Sequence, residues 1–265
     1  MALEAIERGA VDVLAKPSEA YSAGNLGRQL AEKIRAAARV DVRRLGRPAA
    51  PSARPEASVI PNAFQKAGEI VLAIGASTGG AEAIRHILTR MPAAIPGSVV
   101  VQHMPPHFTA VFAERLNELC PFEVREARDG DPVRPRLVLI APGDFHMMLI
   151  RRGAGYRVQV RNGPLVHHQR PAVDVLFRSV ARCAGPNAVG VILTGMGRDG
   201  AEGLLEMKNA GARTIAQDEA SSVIFGMPRE AVKIGAAGRV LGLEEIPAAL
   251  MKGFAGANTT PGRAE

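Results

Sequence analysis

The sequence predicts an α/β fold: three α/β/α layers around a mostly parallel, doubly wound (Rossmann-like) sheet, with a β-hairpin appended. From about residue 70 onward, short apolar runs alternate with segments whose apolar residues have helical spacing. The apolar runs are nearly continuous, as in parallel strands that are covered on both faces. Trp is absent and aromatic residues make up 4% of a chain that is 47% hydrophobic, so the core must be mainly aliphatic.

Strands and helices are predicted in alternation along this part of the chain. The strands are expected at residues 70–75, 98–102, 137–141, 189–194 and 213–216. Stripes of apolar residues predict helices between them, at residues 84–91, 108–119, 173–180, 201–210 and 228–235. Residues 145–162 break the alternation, and the glycines at 153 and 155 between two β-rich runs predict the appended hairpin.

Composition divides the chain into four predicted segments. The first 17 residues suggest a helix followed by a strand at 10–15, and residues 24–45 suggest a further helix. Pro, Ala, Ser and Arg then dominate, which is typical of a linker. The predicted boundaries are an N-terminal segment at 1–45, a linker at 46–68, the main domain at 69–253 and a flexible tail at 254–265.

Charge and cysteine content limit the possible classes of protein. The formal net charge is +7, and most of it comes from the segment between Arg28 and Arg54, which contains eight basic and two acidic residues. This segment has no aromatic side chain that could stack on bases, so we expect a solvated helix and linker and no nucleic acid partner. The two cysteines form no C-x-x-C motif, and no signal peptide or bilayer-length apolar run is present. These features predict a cytoplasmic protein without membrane insertion.

Residues 70–80 carry the most informative motif. The apolar run ends in GASTGG (75–80), and a helical pattern follows at once. A serine at a glycine-flanked strand-to-helix turn presents its hydroxyl clear of the sheet. The helix N-terminus beside it can stabilise developing negative charge. We therefore interpret Ser77 as a nucleophile.

Two other polar residues follow predicted strands in the same way. His103 comes directly after the strand 98–102, and Asp199 lies in a glycine-rich loop after the strand 189–194. Since the carboxyl ends of parallel strands share one sheet edge, Ser77, His103 and Asp199 are expected to converge. Acyl transfer requires this set, with serine as nucleophile, histidine as base and aspartate orienting the imidazole. The chain order differs from those of α/β-hydrolases, chymotrypsin and subtilisin.

Each of these residues also has a structural interpretation. Ser77 could cap the helix that starts near Gly80, and His103 could be a core histidine with satisfied hydrogen bonds. Asp199 followed by Glu202 three residues later resembles a capping box. The occurrence of all three at strand ends favours the catalytic interpretation.

Cofactor and metal motifs are incomplete. Ala81 stands where a phosphate-binding loop needs lysine, and Ser77 where a dinucleotide fingerprint needs glycine. His103 and His107 are four residues apart, but two prolines between them exclude a helical metal pair. No cofactor and no metal is therefore expected. Three histidines without motif context are interpreted as pocket-wall and surface residues: His146, His167 and His168.

Together these motifs resemble the chemotaxis response-regulator protein-glutamate methylesterase family. The resemblance covers about residues 69–253, and six stretches carry it: GASTGG (75–80), VQHMPPHFTAVFAERL (101–116), EARDGDPVRPRLVLIAPGDFHM (126–147), RPAVDVLFRSVA (170–181), VILTGMGRDGAEGL (191–204) and AQDEASSVIFGMPREAV (216–232). Ser77, His103 and Asp199 fall on the catalytic triad of the family. The departures from its pattern, at Ala172 and at 135–136, lie outside the triad.

The resemblance implies a serine hydrolase that removes methyl esters from glutamate side chains of methyl-accepting chemotaxis receptors. Methanol is released, receptor glutamines are deamidated, and signalling is reset in sensory adaptation. The implied oxyanion donors are the backbone N–H groups of Thr78 and Met196. The implied partners are the cytoplasmic helices of methylated receptors and, in full-length family members, a sensor histidine kinase acting through a receiver domain.

The N-terminal segment resembles the last third of a phosphorylation receiver domain. Lys16-Pro17 falls on the Lys-Pro of that domain, while the part with the phosphoacceptor aspartate has no counterpart in the sequence. In the family the receiver blocks the active site until it is phosphorylated. We therefore expect activity without phosphorylation, with residues 1–65 loosely attached.

Two other classes of function remain open at this point. A non-catalytic regulatory module would use the basic segment to dock on acidic receptor helices or nucleic acid, and would release no methanol. A nucleotide-dependent α/β enzyme would retain a dinucleotide, which Ser77 inside the glycine loop disfavours.

Overall fold

The computed structural model describes residues 70–255 and, before them, residues 5, 9–14, 27, 30, 31, 33–35, 37, 38 and 40. Ten strands lie between residues 70 and 255: β1 Val71–Ala76, β2 Gly97–Gln102, β3 Glu123–Glu126, β4 Pro132–Val133, β5 Leu137–Ile140, β6 His146–Arg152, β7 Gly155–Arg161, β8 Ala188–Ile192, β9 Arg213–Gln217 and β10 Arg239–Leu241. Six α-helices lie in the same range: α1 Gly80–Leu88, α2 Phe108–Leu119, α3 Val173–Ala184, α4 Ala201–Asn209, α5 Met227–Lys233 and α6 Ile246–Ala255.

Seven strands form the central sheet, in the order β10-β9-β8-β1-β2-β5-β3. Every neighbouring pair is parallel. From β1 the chain builds one half of the sheet through β2, β3 and β5, and later the other half through β8, β9 and β10. The strand order therefore reverses between β1 and β8, and ligands of open α/β sheets bind beyond the carboxyl ends of the strands at such a point.

A separate hydrophobic core covers each face of the central sheet. Alternate residues of β1 serve the two cores: Leu72 and Ile74 face the core formed with α1, α2 and α6, while Val71 and Ala73 face the core formed with α3, α4 and α5. All six residues of β1 and all six of β2 are buried. Continuous apolar runs are thus the expected pattern for these strands, because neither face of the sheet meets water.

The remaining three strands form a small antiparallel sheet in the order β4-β7-β6. Its buried residues, among them Leu149 and Val158, join the core beneath α3. The backbone N–H of Leu149 donates to Ser179 Oγ of α3 at 2.8 Å. The small sheet is therefore anchored on the helix that also reaches the site described below.

The predicted fold class is confirmed: a mostly parallel α/β sheet with a small antiparallel addition. The five predicted strands appear as β1, β2, β5, β8 and β9, and the five predicted helices as α1 to α5. The hairpin at 145–162 forms as β6 and β7, but it pairs with β4 in a second sheet rather than with the main one. Three strands and one α-helix of the described residues were missed: β3, β4, β10 and α6.

The strand predicted at 10–15 is wrong where the structure describes it, because residues 10–14 form no strand. A strand needs a hydrogen-bonded neighbour, and none of the described strands pairs with this segment. The described residues between 27 and 37 are helical, as predicted. The predicted linker at 46–68 and nearly all of the tail at 254–265 lie outside the described residues. None of the helices that the structure describes is both long and apolar enough to cross a membrane.

Candidate active site

Ser77 lies in the tight turn between β1 and α1. Its backbone N–H donates to the carbonyl of Thr194 at 3.0 Å, and its own carbonyl accepts the N–H of Gly80 at 2.7 Å. The N-cap of α1 is Gly79, in the left-handed conformation with φ 78, and no side chain caps the helix. Ser77 therefore does not serve as a helix cap, and the residue is partly exposed at the carboxyl edge of the sheet.

Two buried polar side chains fix this turn. The hydroxyl of Thr194, which follows β8, donates to the carbonyl of Thr78 at 3.0 Å. The side-chain amide of Gln102, the last residue of β2, donates to the carbonyl of Ser77 at 2.8 Å. Thr194 is 1% exposed and Gln102 is 4% exposed. The turn is thus held from both neighbouring strands by hydrogen bonds that water does not weaken.

Strand register brings His103 beside Ser77. Ala76 of β1 pairs with Gln102 of β2, so Ser77 and His103 are the next residues on two adjacent parallel strands. The N–H of His103 donates to the carbonyl of Ala76 at 3.1 Å. The loop after β8 also lies close to Ser77, since a Cβ added to Gly195 would come within 2.7 Å of the Cβ of Ser77.

His103 and Asp199 form a buried hydrogen-bonded pair. His103 Nε2 lies 2.8 Å from Asp199 Oδ2, and the two side chains are 6% and 3% exposed. His103 Nδ1 is also buried and has no hydrogen-bond partner among the described residues. Nε2–H donates to the carboxylate, so Nδ1 keeps a free lone pair. The interpretation of His103 as a fully satisfied core histidine is therefore wrong.

The N-terminus of α3 holds the carboxylate of Asp199. The backbone N–H groups of Val173 and Asp174, the first two residues of α3, donate to its oxygens at 2.7 and 2.9 Å. Burial works to raise the pKa of Asp199, but the hydrogen bond and charge of His103 and these two N–H groups hold it below its usual range. The N-cap of α4 is Gly200, without a side-chain cap, so the capping-box interpretation of Asp199 is wrong too.

The two predicted oxyanion donors lie in the turn that contains Ser77 and in the loop after β8. Thr78 follows it in the turn, and Met196 follows Gly195 in the neighbouring loop. No described residue accepts a hydrogen bond from the backbone N–H of either one. The Thr78 hydroxyl donates to Asp12 Oδ2 at 2.9 Å, and Lys33 Nζ also contacts that carboxylate. The N-terminal segment therefore touches the site through Asp12.

Residues that support the pair were not found from the sequence. Asp174 and His167 form a second carboxylate–imidazole contact, with Asp174 Oδ2 2.9 Å from His167 Nε2. His167 was interpreted as a surface or pocket-wall residue, and Asp174 was not singled out. His146 is buried against the carbonyl of Pro164, at 2.8 Å from its Nε2, which agrees with a structural role.

His167, Asp174 and Asp199 bring possible metal ligands within 4.8 Å of one another. All four carboxylate oxygens already accept hydrogen bonds, from Val173, Asp174, Gly203, His103 and His167. Metal binding would have to displace backbone N–H donors that are themselves buried. The arrangement is a hydrogen-bond network rather than an open coordination site.

A serine beside a buried His–Asp pair, at the switch point of a parallel α/β sheet, is the arrangement of a serine hydrolase. Comparison with known proteins agrees: residues 72–250 match the family model described as CheB methylesterase. The chain therefore belongs to the CheB methylesterase family.

Similar proteins have been named in several bacteria. The chain is 55% identical over 246 residues to protein-glutamate methylesterase/protein-glutamine glutaminase 2 of Syntrophus aciditrophicus, covering 93% of this chain and 71% of that protein. It is 51% identical over 261 residues to a protein with the same name in Pseudomonas syringae pv. tomato, covering 94% and 73%. The crystal structure of the Thermotoga maritima CheB methylesterase catalytic domain matches with a TM-score of 0.68 and 38% identity, covering 69% of this chain and 97% of that domain.

Proposed function

We propose that this protein is a protein-glutamate methylesterase and protein-glutamine glutaminase that acts on chemoreceptors. It hydrolyses the γ-methyl esters of receptor glutamates, releases methanol, and converts receptor glutamines to glutamates. The observation that carries the proposal is the buried His103–Asp199 pair at 2.8 Å, on the strand end next to Ser77. The names of the relatives agree with this activity.

The reaction begins with attack of Ser77 Oγ on the ester carbonyl carbon. His103 Nδ1, the ring nitrogen that the carboxylate does not occupy, takes the hydroxyl proton. Asp199 holds the opposite ring nitrogen and stabilises the imidazolium that forms. The C–O bond to the methoxy group then breaks, and the imidazolium delivers its proton to the departing methoxide oxygen, which leaves as methanol.

The negative oxygen of the tetrahedral intermediate needs hydrogen-bond donors. The backbone N–H groups of Thr78 and Met196 supply them, and one such donor is worth about 3 kcal/mol in the transition state. Water then attacks the acyl-enzyme, with His103 again as base, and releases the glutamate side chain. Deamidation follows the same steps, with ammonia as leaving group instead of methanol.

The substrate is a methylated cytoplasmic helix of a chemoreceptor, so the protein works in the cytoplasm. The catalytic unit is residues 69–253, residues 1–45 resemble the last third of a receiver domain, and residues 46–68 are the linker between them. Limited proteolysis tests this division: rapid cleavage is expected in 1–65, and equal resistance of both parts would contradict it. The hydrogen bond between Thr78 and Asp12 joins the two parts, so loss of this bond would accompany release of the N-terminal segment.

The direct test is mass spectrometry of a methylated receptor fragment before and after incubation with the protein, together with methanol release. We expect Ser77→Ala to lower turnover by roughly 10⁴-fold or more. Ser98→Ala is the matched control, because Ser98 lies near the opposite end of β2 and its hydroxyl bonds only locally, to the carbonyl of Pro96 at 2.7 Å. Near-normal methanol release by the Ser77 variant would remove Ser77 from this role.

A further inference from the structure

Helices α3 and α4 cap each other through two aspartates. Asp199, one residue before the N-cap of α4, accepts the N–H groups of Val173 and Asp174 at the start of α3. In return Asp174 accepts the N–H of Gly203, the third residue of α4, at 2.6 Å. Neither helix is capped by a side chain of its own N-cap residue. A shift of α3 relative to α4 would therefore move Asp199.

The second oxygen of Asp174 is held by His167. His167 Nε2 lies 2.9 Å from Asp174 Oδ2, and His167 Nδ1 accepts a hydrogen bond from Arg198 Nε at 3.4 Å. Because Nδ1 is the acceptor, the proton of the neutral ring is on Nε2 and points at Asp174. Asp174 thus uses both oxygens, as Asp199 does, and each of the two aspartates has one imidazole partner.

His167 is held in an uncommon backbone conformation. His167 and His168 are the two central residues of a tight turn that Val166 and Gln169 close with hydrogen bonds of 3.1 and 2.9 Å. Both histidines have positive φ, 50 and 62, a region that few non-glycine residues occupy, although asparagine, aspartate and histidine are enriched there. Such strain persists only where the surroundings maintain it, and of the two only His167 contacts Asp174.

The charges around Asp174 come from three elements. Burial raises its pKa, and the nearby charge of Asp199 adds to this effect, while Gly203 N–H, His167 and Arg178 act in the other direction. Arg178 lies on α3 itself and is shared with Glu202 and Glu206 of α4. His167, with Arg198 behind it, is thus the partner that the turn before α3 supplies to a fully buried carboxylate.

We propose that His167 and Asp174 are positioning residues for the hydrolysis, which keep the N-terminus of α3 aligned with Asp199 and thereby hold His103 in place. This inference rests on the proposed function for its kinetic consequences. Neither residue touches Ser77 or His103 through a hydrogen bond, so both act through Asp199 and not on the substrate.

The test compares His167→Asn with His168→Asn. Asparagine tolerates the left-handed conformation, so the turn is preserved in both variants, and an asparagine at 167 lacks the distant ring nitrogen that reaches Asp174. His168 is exposed and is the matched control. We expect His167→Asn to lower kcat for methanol release by about tenfold with KM unchanged, and His168→Asn to change neither. His167→Gln, whose amide nitrogen can replace Nε2, should recover part of the loss.

A spectroscopic signal separates positioning from simple stability. The proton in the His103–Asp199 hydrogen bond should give a low-field NMR signal, assigned by isotope labelling of histidine. His167→Asn is expected to shift it and His168→Asn to leave it in place. Equal kcat and an unchanged signal in the His167 variant would overturn the proposal. If the unsubstituted protein releases no methanol, the proposed function fails, and the signal alone decides whether His167 positions Asp199.

Discussion

The carboxyl edge of the central sheet and the small antiparallel sheet use charged groups in opposite ways. At the carboxyl edge, Asp199 is 2% exposed and its partners are an imidazole and two backbone N–H groups. Beside the small sheet, Asp129 also accepts a backbone N–H, from Val160 at 3.0 Å, and pairs with Arg161 at 2.7 Å. Both of these side chains are about half exposed.

The difference shows that burial, rather than the kind of contact, decides what each aspartate does. Exposed ion pairs contribute little because water competes for both partners. A buried carboxylate must be fully hydrogen-bonded, and it then fixes the position of whatever it contacts. Aspartate therefore orients a histidine in one region, whereas in the other it makes exposed contacts that add little stability.

The largest difference between the two regions is expected for the two aspartates themselves. Asp199→Asn should lower methanol release by about 10⁴-fold, because the amide cannot stabilise the imidazolium of His103 and favours the wrong ring tautomer. Asp129→Asn should leave turnover unchanged. Initial rates on a methylated receptor fragment measure both, and comparable rates for the two variants would contradict the assignment of Asp199.

The next contrast concerns two glycines. A Cβ on Gly195 would lie 2.3 Å from Met227 Sδ and 2.7 Å from Ser77 Cβ, whereas a Cβ on Gly155 would meet nothing within 4 Å. Gly195→Ala should therefore lower the free energy of unfolding by about 1–3 kcal/mol and reduce turnover. Gly155→Ala should change stability by about 0.5 kcal/mol or less. Urea unfolding of both variants measures the two changes in stability. Equal midpoints would contradict the prediction, because they would show that the loop after β8 can move away from Met227 and Ser77.

A smaller effect is expected where the two sheets meet. Partial burial works to raise the pKa of Asp131, but hydrogen bonds from Arg125 and the N–H of Arg128 hold it below its usual value of 3.8. A depressed pKa adds stability above the unfolded pKa, and this stability is lost as pH falls through the folded pKa. Asp131→Asn should thus cost about 1 kcal/mol or less near neutral pH, and the difference should vanish in acid. Thermal melts of both proteins at several pH values measure this loss of stability. If the loss were the same at every pH, the charge of Asp131 would not be its cause.

The smallest effect is expected at the thiol of Cys120, in the folded protein compared with the unfolded chain. Burial raises the pKa of Cys120 to about 12, so little thiolate exists at pH 8. Iodoacetamide at that pH should modify Cys120 much more slowly in the folded protein than after unfolding in urea. Mass spectrometry of the modified peptides gives both rates. A rate that urea does not increase would show that the thiol is accessible in the folded state.

The sequence predicted the central sheet because its strands are buried on both faces. β1 and β2 are continuous apolar runs, and such runs are recognisable without knowledge of their neighbours. The missed strands lack this pattern. β3 reads EVRE with one fully buried position, and β10 has two exposed residues of three at the edge of the sheet. Their existence depends on pairing, which a local pattern does not encode.

The positions of the proposed catalytic residues were predictable to the same extent. Ser77, His103 and Asp199 each follow a recognisable strand, so the rule for parallel sheets placed them on one edge. The residues that hold them are different in kind. Thr194 contacts Thr78 across 116 residues of chain, and Asp174 is recognisable only once α3 and α4 are known to meet end to end. The strand expected at 10–15 failed for a related reason, since it has no described neighbour to pair with.

The exchange of caps between α3 and α4 limits how this chemistry could be transferred to another protein. Moving only the loop at 195–200 would carry the acid without the two amides that hold it. The smallest unit that carries Asp199 with its supports is closer to residues 167–203, because the segment before α3 and the start of α4 hydrogen-bond to each other. Protein engineers who graft the proposed triad onto a new scaffold would have to import the beginnings of two helices in addition to Ser77 and His103.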